Sequence, residues 1–407
     1  MIQTTTSFNS AERAKKSALN ILFILTHGIS PQKGGIERMS LNFGTDLEKR
    51  GHKVWFIAFF DEYKNDLSWP ERQFFFPNND RKSPESREFL RNLLCEKQID
   101  LVIFQIADVA IPHSSLYAEL NVPVIVCLHF NPDFVETMKR SKARAKLGNF
   151  ADSWLYAPIL ALKIFFPNRN VVRHYRQNAE IAERFVLLSE GFIPWVSKRF
   201  PRELRRKIVA IPNFTTVPRQ DCAAEKEKIL LFVGRLENGQ KRVDLLLKIW
   251  AKLEKAFPQW RLEIVGDGPS RGGLEALAGT LGLQRVTFEG FQKPEKYYRR
   301  APIFCMTSAF EGFPMVLAEA AAFGCVPVAF ESFAAVRDII SDGENGALVP
   351  PFDLDKYAET LAALMRDDAL RERLAANTAQ ICEKFAPAKI VNRWEALFAE
   401  VLAEKNK

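Results

Sequence analysis

The stretch Thr307–Phe330, TSAFEGFPMVLAEAAAFGCVPVAF, contains the clearest structural pattern of this chain. It follows the apolar run Ile303–Met306, which predicts a buried strand, and a second apolar run begins at Val326. Between the two runs, Pro314 suits the first position of a helix, because the N–H that proline lacks would have no helical partner there. Gly324 suits the C-terminal cap of the same helix. The stretch therefore predicts a strand, a loop, a helix and a further strand.

Two carboxylates belong to this unit, Glu311 in the loop and Glu319 inside the helix. The first turn of a helix presents free backbone N–H groups at the positive end of the helix dipole, and both features favour a phosphate. Carboxylates only accept hydrogen bonds, so two of them beside a phosphate would bind sugar and ribose hydroxyls. The plainer interpretation is a pair of solvated charges at the two ends of a helix.

The length of 407 residues predicts two domains, and a hydrophobic fraction of 47% is enough for two cores. Strands alternate with helices over residues 19–213 and again over 229–386, which predicts an α/β protein with two doubly wound parallel sheets. Residues 1–18 are interpreted as a flexible tail and 214–228 as a linker. Residues 387–407 predict a terminal helix that packs back on the first domain. Ligands of such sheets bind beyond the carboxyl ends of the strands.

Cysteine and histidine indicate neither a disulfide framework nor a zinc site. The six cysteines are scattered, form no C-x-x-C pair and have no histidine cluster beside them. This pattern predicts reduced thiols in a cytoplasmic protein. The apolar run that follows Arg13, Lys15 and Lys16 imitates a secretory signal, but it is short and lacks a cleavage pattern. No apolar run reaches the length of a membrane span.

The charge of the chain is uneven. Residues 1–220 hold 32 Lys and Arg against 22 Asp and Glu, a net charge of +10, whereas residues 221–407 hold 25 against 27, a net charge of −2. The first half therefore favours an acidic partner, such as a phosphorylated acceptor, an anionic lipid or nucleic acid.

The cations concentrate in one stretch, with no acid between residues 137 and 151; they are Lys139, Arg140, Lys142, Arg144 and Lys146. The aromatic and aliphatic sequence FADSWLYAPILALKIFFP follows. Together, residues 139–166 fit a helix that lies on an anionic membrane surface. A solvated helix followed by a core helix explains the same pattern equally well.

Several motifs, in a fixed order, resemble those of the family 4 retaining glycosyltransferases, which have the GT-B fold. Within residues 229–350 they are FVGRLENGQKRVDLLL, LEIVGDGP, VTFEGF, SAFEGFPMVLAEAAAFGCVPVA and GENGALV. The first domain adds GGIERM, FVLLSEGF and AIPN. The resemblance implies two Rossmann-like domains that face each other across a cleft. One departure is that Lys241 precedes Arg242, where the family commonly has glycine; another is Ala301-Pro302 in place of a frequent aspartate.

The resemblance implies that the second domain holds most of a nucleotide diphosphate sugar. It assigns Arg235 and Lys241 to the two phosphates, where a guanidinium fork and a point charge also offset the charge that grows on the leaving diphosphate. It assigns Glu319 to the ribose hydroxyls and Glu311 to a hydroxyl of the transferred sugar. The alternative is that Arg235 caps a strand end and Lys241 is a solvated helix charge.

Further donor contacts follow from the same resemblance. The backbone around Phe313, Met315 and Val316 would approach the diphosphate or the sugar. Phe291, which follows Gly290, would flank the base, although an ordinary core aromatic is the alternative interpretation.

Three residues of the first domain complete the predicted site. Gly34 and Gly35 open its first helix, and glycines there permit a close approach of the backbone to a phosphate. His129 ends an apolar strand and matches a family histidine that contacts the donor sugar. A plain tight turn and a structural histidine are the alternatives.

The predicted function is a retaining glycosyltransferase, a transferase of EC 2.4 type. It would move a sugar from a nucleotide diphosphate sugar to a glycan or lipid-linked acceptor, in bacterial surface polysaccharide or lipopolysaccharide synthesis. The resemblance implies front-face attack without an enzyme nucleophile or a metal ion. The predicted location is cytoplasmic, peripheral on the inner face of the plasma membrane, with no nucleic acid partner.

Two other functions fit part of the sequence. A GT-B sugar-nucleotide epimerase would release the nucleotide without an acceptor, and a non-catalytic basic binder of nucleotides or nucleic acid would explain the interleaved bases and aromatics. A dehydrogenase is disfavoured, because GDGPSRGG at 266–273 has its third glycine misplaced for a dinucleotide fingerprint and Pro269 interrupts it.

Overall fold

The computed structural model describes residues 18–29, 35–60, 69–78, 80, 82–106, 109–147, 157–220 and 226–405. Contacts between residues divide the chain into two compact units. Unit 1 comprises residues 1–129, 169–213 and 387–407, and unit 2 comprises residues 130–168 and 214–386. Residues 130–168, which the sequence places in the first domain, therefore belong to unit 2 by their contacts.

The described residues form short strands and helices in close alternation. The strands are β1 (Asn20–His27), β2 (Lys53–Phe60), β3 (Gln73–Phe75), β4 (Leu101–Phe104), β5 (Val124–Leu128), β6 (Arg184–Leu187), β7 (Ile208–Ala210), β8 (Ile229–Val233), β9 (Arg261–Val265), β10 (Val286–Gly290), β11 (Ile303–Met306), β12 (Val326–Phe330) and β13 (Ala347–Val349). The helices are α1 (Gly35–Lys49), α2 (Pro84–Glu96), α3 (Ser114–Glu119), α4 (Phe134–Leu147), α5 (Ala157–Ile181), α6 (Ile193–Ser197), α7 (Arg202–Arg205), α8 (Asn238–Lys241), α9 (Val243–Leu253), α10 (Arg271–Thr280), α11 (Glu295–Arg300), α12 (Met315–Ala322), α13 (Val336–Ile339), α14 (Leu354–Arg366), α15 (Asp368–Asn377), α16 (Ala379–Lys384) and α17 (Pro387–Lys405).

Each unit contains one parallel sheet. In unit 1 the strand order is β3-β2-β1-β4-β5-β6-β7, and in unit 2 it is β10-β9-β8-β11-β12-β13. The central strands are continuous apolar runs, as in LVIF of β4 and VIVCL of β5, because both faces of a parallel sheet are covered. The order of connection reverses between β1 and β4 in unit 1 and between β8 and β11 in unit 2. Such switch points are where parallel sheets bind ligands.

The terminal helix α17 packs within unit 1. Its Trp394 ring lies 5.1 Å from that of Phe43 on α1. The Arg184 guanidinium at the start of β6 donates to a Glu404 carboxylate oxygen at 2.8 Å and also binds Glu400. These bonds raise the pKa of Arg184 despite the opposing effect of its partial burial. Apolar packing and the ion pairs of the buried Arg184 with two exposed glutamates therefore tie the end of the chain to the sheet of unit 1.

Three local differences from the sequence predictions have simple causes. Residues 61–84 predict irregular chain, but β3 lies within them; it is an edge strand of three residues, too short to show a strand period. Pro314 is the N-cap of α12 and not its first residue, so that helix begins one residue later, at Met315. A sixth strand, β13, adds to the second sheet at GENGALV.

The basic stretch is helical where the structure describes it. Lys139 and Arg140 lie on α4; the Lys139 ammonium donates to the carbonyl of Lys163 on α5, and Arg140 pairs with Glu136 at 3.1 Å. Trp154 and Tyr156 lie outside the described residues. The same holds for five other side chains of this stretch, those of Lys142, Arg144, Lys146, Phe165 and Phe166.

Candidate functional site

Three of the predicted donor residues of unit 2, Arg235, Lys241 and Glu311, lie in two loops at its switch point. Residues 234–242 follow β8, residues 307–314 follow β11, and these two strands are hydrogen-bonded neighbours. Hydrogen bonds join the two loops directly: the Ala309 N–H donates to the Gln240 carbonyl at 2.7 Å, and the Thr307 hydroxyl donates to the Lys241 carbonyl at 3.1 Å. The topology thus brings together residues about 70 positions apart in sequence.

An ion pair between Lys241 and Glu311 is the centre of this site. The Lys241 ammonium lies 2.6 Å from Oε1 of Glu311, and both side chains are mostly buried. The Gln240 side-chain amide donates to the other carboxylate oxygen of Glu311 at 3.0 Å and to the Phe310 carbonyl at 3.2 Å. Both carboxylate oxygens therefore have a donor, as a buried carboxylate requires.

Gln240 is a site residue that the sequence reasoning did not identify. Its side chain holds Glu311 in place, and its own N–H is capped by Glu237 at 2.8 Å at the start of α8. The only feature of the sequence that could have indicated a role for Gln240 is its position directly before Lys241. Its contact with Glu311 becomes visible only in the folded chain, where the loops after β8 and β11 lie side by side.

Arg235 is exposed in the loop after β8. Among the residues that the structure describes, its guanidinium has no hydrogen bond or ion pair. Its backbone carbonyl accepts from the N–H of Glu237 at 2.9 Å, which fixes the loop locally. A guanidinium with no partner among the described residues has its donors available for a phosphate.

Arg242 explains the departure from the lysine–glycine pattern. Its φ of +50° lies in the left-handed region that glycine enters most easily, between α8 and α9. The guanidinium binds Asp244 with two hydrogen bonds, at 3.0 and 3.1 Å, and lies 5.9 Å from the ring of Phe352. These contacts offset the backbone strain, so the turn forms without glycine.

The GDGP sequence after β9 packs against the loop after β8 through its backbone. A Cβ on Gly266, whose φ is +139°, would overlap the carbonyl oxygen of Gly234. A Cβ on Gly268 would lie 2.6 Å from the carbonyl oxygen of Leu236. The Gly266 N–H in turn donates to the Gly290 carbonyl at 2.8 Å. These two glycines therefore allow the neighbouring loops to approach each other closely.

The helix α12 carries three more predicted residues of unit 2, Met315, Val316 and Glu319, and Phe313 directly precedes its N-cap. Its N-cap, Pro314, offers no side-chain acceptor for the first N–H groups, and Met315 and Val316 are half-buried. Phe313 is buried against the ring of Phe385 at 5.1 Å. Glu319 is buried on the same helix, and the Tyr298 hydroxyl lies 3.4 Å from its Oε2. The interpretation of Glu319 as a solvated helix charge is therefore wrong.

Phe291 follows Gly290 at the end of β10 and is 74% exposed. This exposure excludes the alternative of an ordinary core aromatic. The neighbouring Tyr297 hydroxyl donates to Glu289 at 2.9 Å, and burial together with that carboxylate raises the pKa of Tyr297 to about 12.

The predicted residues of unit 1 have different surroundings. Gly34 lies outside the described residues. Gly35 begins α1, and a Cβ there would meet no atom within 4 Å, so nothing in the structure requires glycine at that position. His129 follows β5, and its Nε2 is hydrogen-bonded to Oε1 of Gln105, which follows β4. Burial lowers the pKa of His129 to about 4, so its ring is neutral at neutral pH.

One D-x-D spacing, a pattern that often binds a metal ion, occurs in the chain at Asp353-Leu354-Asp355. Asp353 caps α14 by accepting from the Lys356 N–H at 2.9 Å, and Asp355 pairs with Lys252 at 2.6 Å. Among the described residues no group of three or more histidine, cysteine, aspartate and glutamate side chains could hold a metal ion. The five cysteines in the described part of the chain are free.

Two family models match adjoining parts of the chain. The model described as Glycosyltransferase Family 4 matches residues 33–214, and the model described as Glycosyl transferases group 1 matches residues 214–381. Together they span most of the chain, which belongs to the family 4 (group 1) glycosyltransferases. The family and the enzyme class predicted from the motifs are thereby confirmed.

Relatives agree with this assignment. A protein of Haemophilus influenzae named "Uncharacterized glycosyltransferase" is 27% identical over 89% of this chain and 96% of its own length. The lipopolysaccharide 1,6-galactosyltransferase of Salmonella typhimurium is 27% identical over 70% of this chain and 77% of its own length. The crystal structure of Anabaena HepE in complex with UDP-glucose matches 95% of this chain and 100% of that chain, with a TM-score of 0.70 and 17% identity. That likeness confirms the GT-B fold.

Proposed function

We propose that this glycosyltransferase moves a sugar from a nucleotide diphosphate sugar to a glycan or lipid-linked acceptor, with retention of the anomeric configuration and without a metal ion. The observation that carries the proposal is the buried Lys241–Glu311 pair at the switch point of unit 2. The loop of Lys241 also carries the exposed Arg235, whose guanidinium has no partner among the described residues. The cations suit a diphosphate, and the carboxylate suits a sugar hydroxyl.

The names of the relatives support the substrate classes. The Anabaena structure holds UDP-glucose, and the Salmonella enzyme is named as a galactosyltransferase of lipopolysaccharide. A UDP-hexose donor and a lipopolysaccharide-type acceptor are therefore the first substrates to test. The Tyr298 hydroxyl near Glu319 supports the assignment of Glu319 to the ribose, because a held carboxylate accepts hydroxyls in a fixed geometry.

The proposed reaction uses the leaving group as the base. The acceptor hydroxyl attacks the anomeric carbon on the face that the diphosphate leaves, the bond from that carbon to the phosphate oxygen breaks, and the hydroxyl proton moves to that oxygen. Lys241 and Arg235 offset the charge that develops on the diphosphate. In this scheme Glu311 binds a sugar hydroxyl: Lys241 and Gln240 each bond one of its oxygens, and each oxygen has a second lone pair that can accept.

We expect an α-linked UDP-hexose to give an α-linked product at a rate that EDTA does not change. The reason is that two protein cations take the place of a divalent ion on the diphosphate. NMR of the first-formed product, with the acceptor present and absent, is the measurement.

A β-linked product would rule out retention, and a loss of turnover in EDTA that Mg²⁺ restores would rule out the metal-free site. Release of UDP with epimerised sugar and no acceptor would favour the epimerase.

We also propose that the enzyme is cytoplasmic and binds the anionic inner face of the plasma membrane through residues 139–166. Ile159 and Leu162 support this, because they lie three residues apart on α5 with exposures of 50% and 62%. The Lys139 ammonium on α4 binds the backbone carbonyl of Lys163, the residue after Leu162. Apolar and basic side chains on one helical surface are typical of interfacial binding. No helix among the described residues is long and apolar enough to cross a bilayer.

Replacing Lys139, Arg140, Lys142, Arg144 and Lys146 with glutamine should abolish sedimentation with phosphatidylglycerol vesicles at low salt, because each cation contributes about 1 kcal/mol near an anionic surface. Donor binding should not change. The charge-matched control replaces five exposed cations elsewhere, Lys198, Arg202, Arg206, Lys293 and Lys389, and should still sediment. Equal loss in both variants would indicate non-specific charge attraction, and failure of the wild-type protein to sediment would refute membrane binding.

A further inference from the structure

A cavity lies at the amino edge of the sheet of unit 1, beside the edge strand β3. Its volume is about 380 Å³, and Glu48, Trp69, Glu71 and Arg72 line it. Glu48 lies in the last turn of α1, where its carboxylate accepts from the N–H of Val54 at the start of β2, at 3.2 Å. The other three residues lie in the turn at 69–72, which leads into β3. The cavity is therefore at the end of the sheet opposite the switch point, and its volume is that of a small-ligand site.

One wall of the cavity is an arginine that packs near two indole rings. The guanidinium carbon of Arg72 lies 5.6 Å from the ring of Trp55 and 5.9 Å from that of Trp69, and the guanidinium pairs with Glu48. The Trp69 ring also packs on the ring of Phe56 at 5.7 Å. Aromatic faces attract a cation, and here a cation of the protein takes that place. A cationic ligand would therefore meet Arg72.

Carboxylate oxygens remain available at the cavity. Glu71 is exposed and has no partner among the described residues, and the second oxygen of Glu48 has none there either. Ionised carboxylates only accept hydrogen bonds, so their partners in a ligand must be hydroxyls or N–H groups. Trp69 adds a half-buried indole. An aromatic face beside hydrogen-bond acceptors matches a sugar ring, which has an apolar C–H face and a rim of hydroxyls.

The backbone of Trp69 has an unfavourable conformation. Its φ of +57° and ψ of +59° lie in the left-handed region, which a bulky residue rarely adopts. Strained backbone of this kind persists where the surrounding contacts hold it, and it is concentrated at functional sites. The Phe56 ring and the Arg72 guanidinium supply such contacts, and the indole that they hold lines the cavity. The strain is thus a second indication that Trp69 has a role here.

We propose that this cavity is a second carbohydrate-binding site, which takes a neutral sugar residue of a glycan. The indole of Trp69 packs on the C–H face of the sugar, and Glu48 and Glu71 accept from its hydroxyls. The inference goes beyond the proposed function, because it concerns binding without transfer and uses residues of unit 1 only. Its consequence is that unit 1 binds a glycan independently of the nucleotide sugar.

The charges of the cavity select a neutral ligand. Two carboxylates stand against one guanidinium that is already paired, so a phosphate or a uronate would be repelled. A wholly apolar ligand would desolvate the carboxylates without giving them a hydrogen bond. A cation would compete with Arg72 for the same aromatic faces. A neutral polyhydroxyl compound meets none of these costs.

Fluorine NMR of protein labelled with 5-fluorotryptophan reads the cavity without turnover. The chain has seven tryptophans, and Trp69→Phe identifies the signal of Trp69. The probes are three neutral trisaccharides, maltotriose, isomaltotriose and mannotriose, with trigalacturonate and choline as charged counterparts. We expect at least one neutral trisaccharide to shift the Trp69 signal in a saturable way, and the charged probes to bind about tenfold more weakly or worse. Saturating UDP should leave the shift unchanged.

Two variants test the walls of the cavity, and each has a matched control. Trp69→Ala should weaken trisaccharide binding about tenfold or more, and Glu71→Ala about fivefold or more, as measured by saturation-transfer NMR on the sugar. Trp195→Ala is the control for the indole, because Trp195 is also half-buried and the guanidinium carbon of Arg199 lies 3.6 Å from its ring centroid. Glu88→Ala removes an exposed carboxylate from α2. Both controls should bind as the wild-type protein does.

Four outcomes would overturn the inference. If no neutral trisaccharide shifts the Trp69 signal, or if UDP abolishes the shift, the second site is refuted. Tighter binding of trigalacturonate or choline would refute the neutral ligand class. Equal losses in the variants and their controls would show binding elsewhere on the protein. Should Trp69→Ala not fold, as judged by its melting curve, Glu71→Ala decides, because its exposed side chain has no partner among the described residues.

The same measurements separate this inference from the proposed function. If the wild-type protein turns over no nucleotide sugar, the proposed function fails, whereas the fluorine signal of Trp69 still decides the second site. If the protein transfers sugar but its Trp69 signal does not respond to any neutral trisaccharide, the inference fails and the proposed function stands.

Discussion

Replacing Lys241 with alanine should lower kcat/KM for sugar transfer by about 10²-fold or more, the effect of losing one preorganised donor at a developing charge. Two consequences of the change act together. The leaving diphosphate loses a cation, and Glu311 loses the ammonium at 2.6 Å, so that only Gln240 still holds it among the described residues. Arg235→Ala should have an effect of the same size through the diphosphate alone, because its guanidinium has no partner in the described protein.

The control for both variants is Lys248→Ala, since Lys248 is exposed on α9 and outside the loops of the site. Its activity should stay within a few-fold of wild type. Melting temperatures should confirm that all three variants fold. Near-wild-type activity in both Lys241→Ala and Arg235→Ala would refute the assignment of these cations to the diphosphate. Loss of activity accompanied by loss of folding would instead be a structural effect, and Lys241→Arg, which keeps the charge, would then decide.

Gly266→Ala should destabilise unit 2 by about 3 kcal/mol or more and lower its melting temperature by roughly 6–12 °C. Two effects add: the φ of +139° is strained for any residue with a Cβ, and that Cβ would overlap the backbone carbonyl of Gly234. A backbone atom cannot move aside as the end of a side chain can. The loop that carries Arg235 must therefore shift, and transfer activity should fall together with stability.

The matched control is Gly273→Ala, seven residues further along the same motif. Gly273 lies in α10, is exposed, and a Cβ there would meet nothing within 4 Å. Alanine in a helix is favoured over glycine by about 0.5–1 kcal/mol, so this variant should melt at or above the wild-type temperature. Calorimetric scans of the three proteins make the comparison. Equal melting temperatures for Gly266→Ala and wild type would show that the two loops do not pack as described.

Local patterns in the sequence predict a large part of this molecule. The alternation of apolar strands with amphipathic helices predicts the doubly wound α/β class, because strand and helix periods are properties of short segments. Motifs in a fixed order predict the family, now confirmed. They also predict Arg235, Lys241 and Glu311 as one set, and the structure brings Lys241 and Glu311 within hydrogen-bonding distance.

Other features were decided only when distant segments came together. Gln240 contacts Glu311 because β8 and β11 are neighbours in the sheet, and Gln105 contacts His129 because β4 and β5 are. A single glutamine belongs to no hydrophobic period and no charge pattern. The residue that its side-chain amide binds therefore cannot be predicted from the neighbouring sequence. Gly266 shows the same limit. Its motif resembles a phosphate-binding fingerprint, but glycine is required there because a Cβ would overlap the backbone carbonyl of Gly234.

Composition and spacing within single segments are enough to predict the alternation of elements, the family and the charged residues of the candidate site. The folded chain was needed to show which neutral side chains hold those charges, which glycines are required by packing, and that residues 130–168 belong to unit 2. The physical reason is that hydrogen bonds and close contacts between loops depend on the order of strands in a sheet. That order is a property of the whole folded unit.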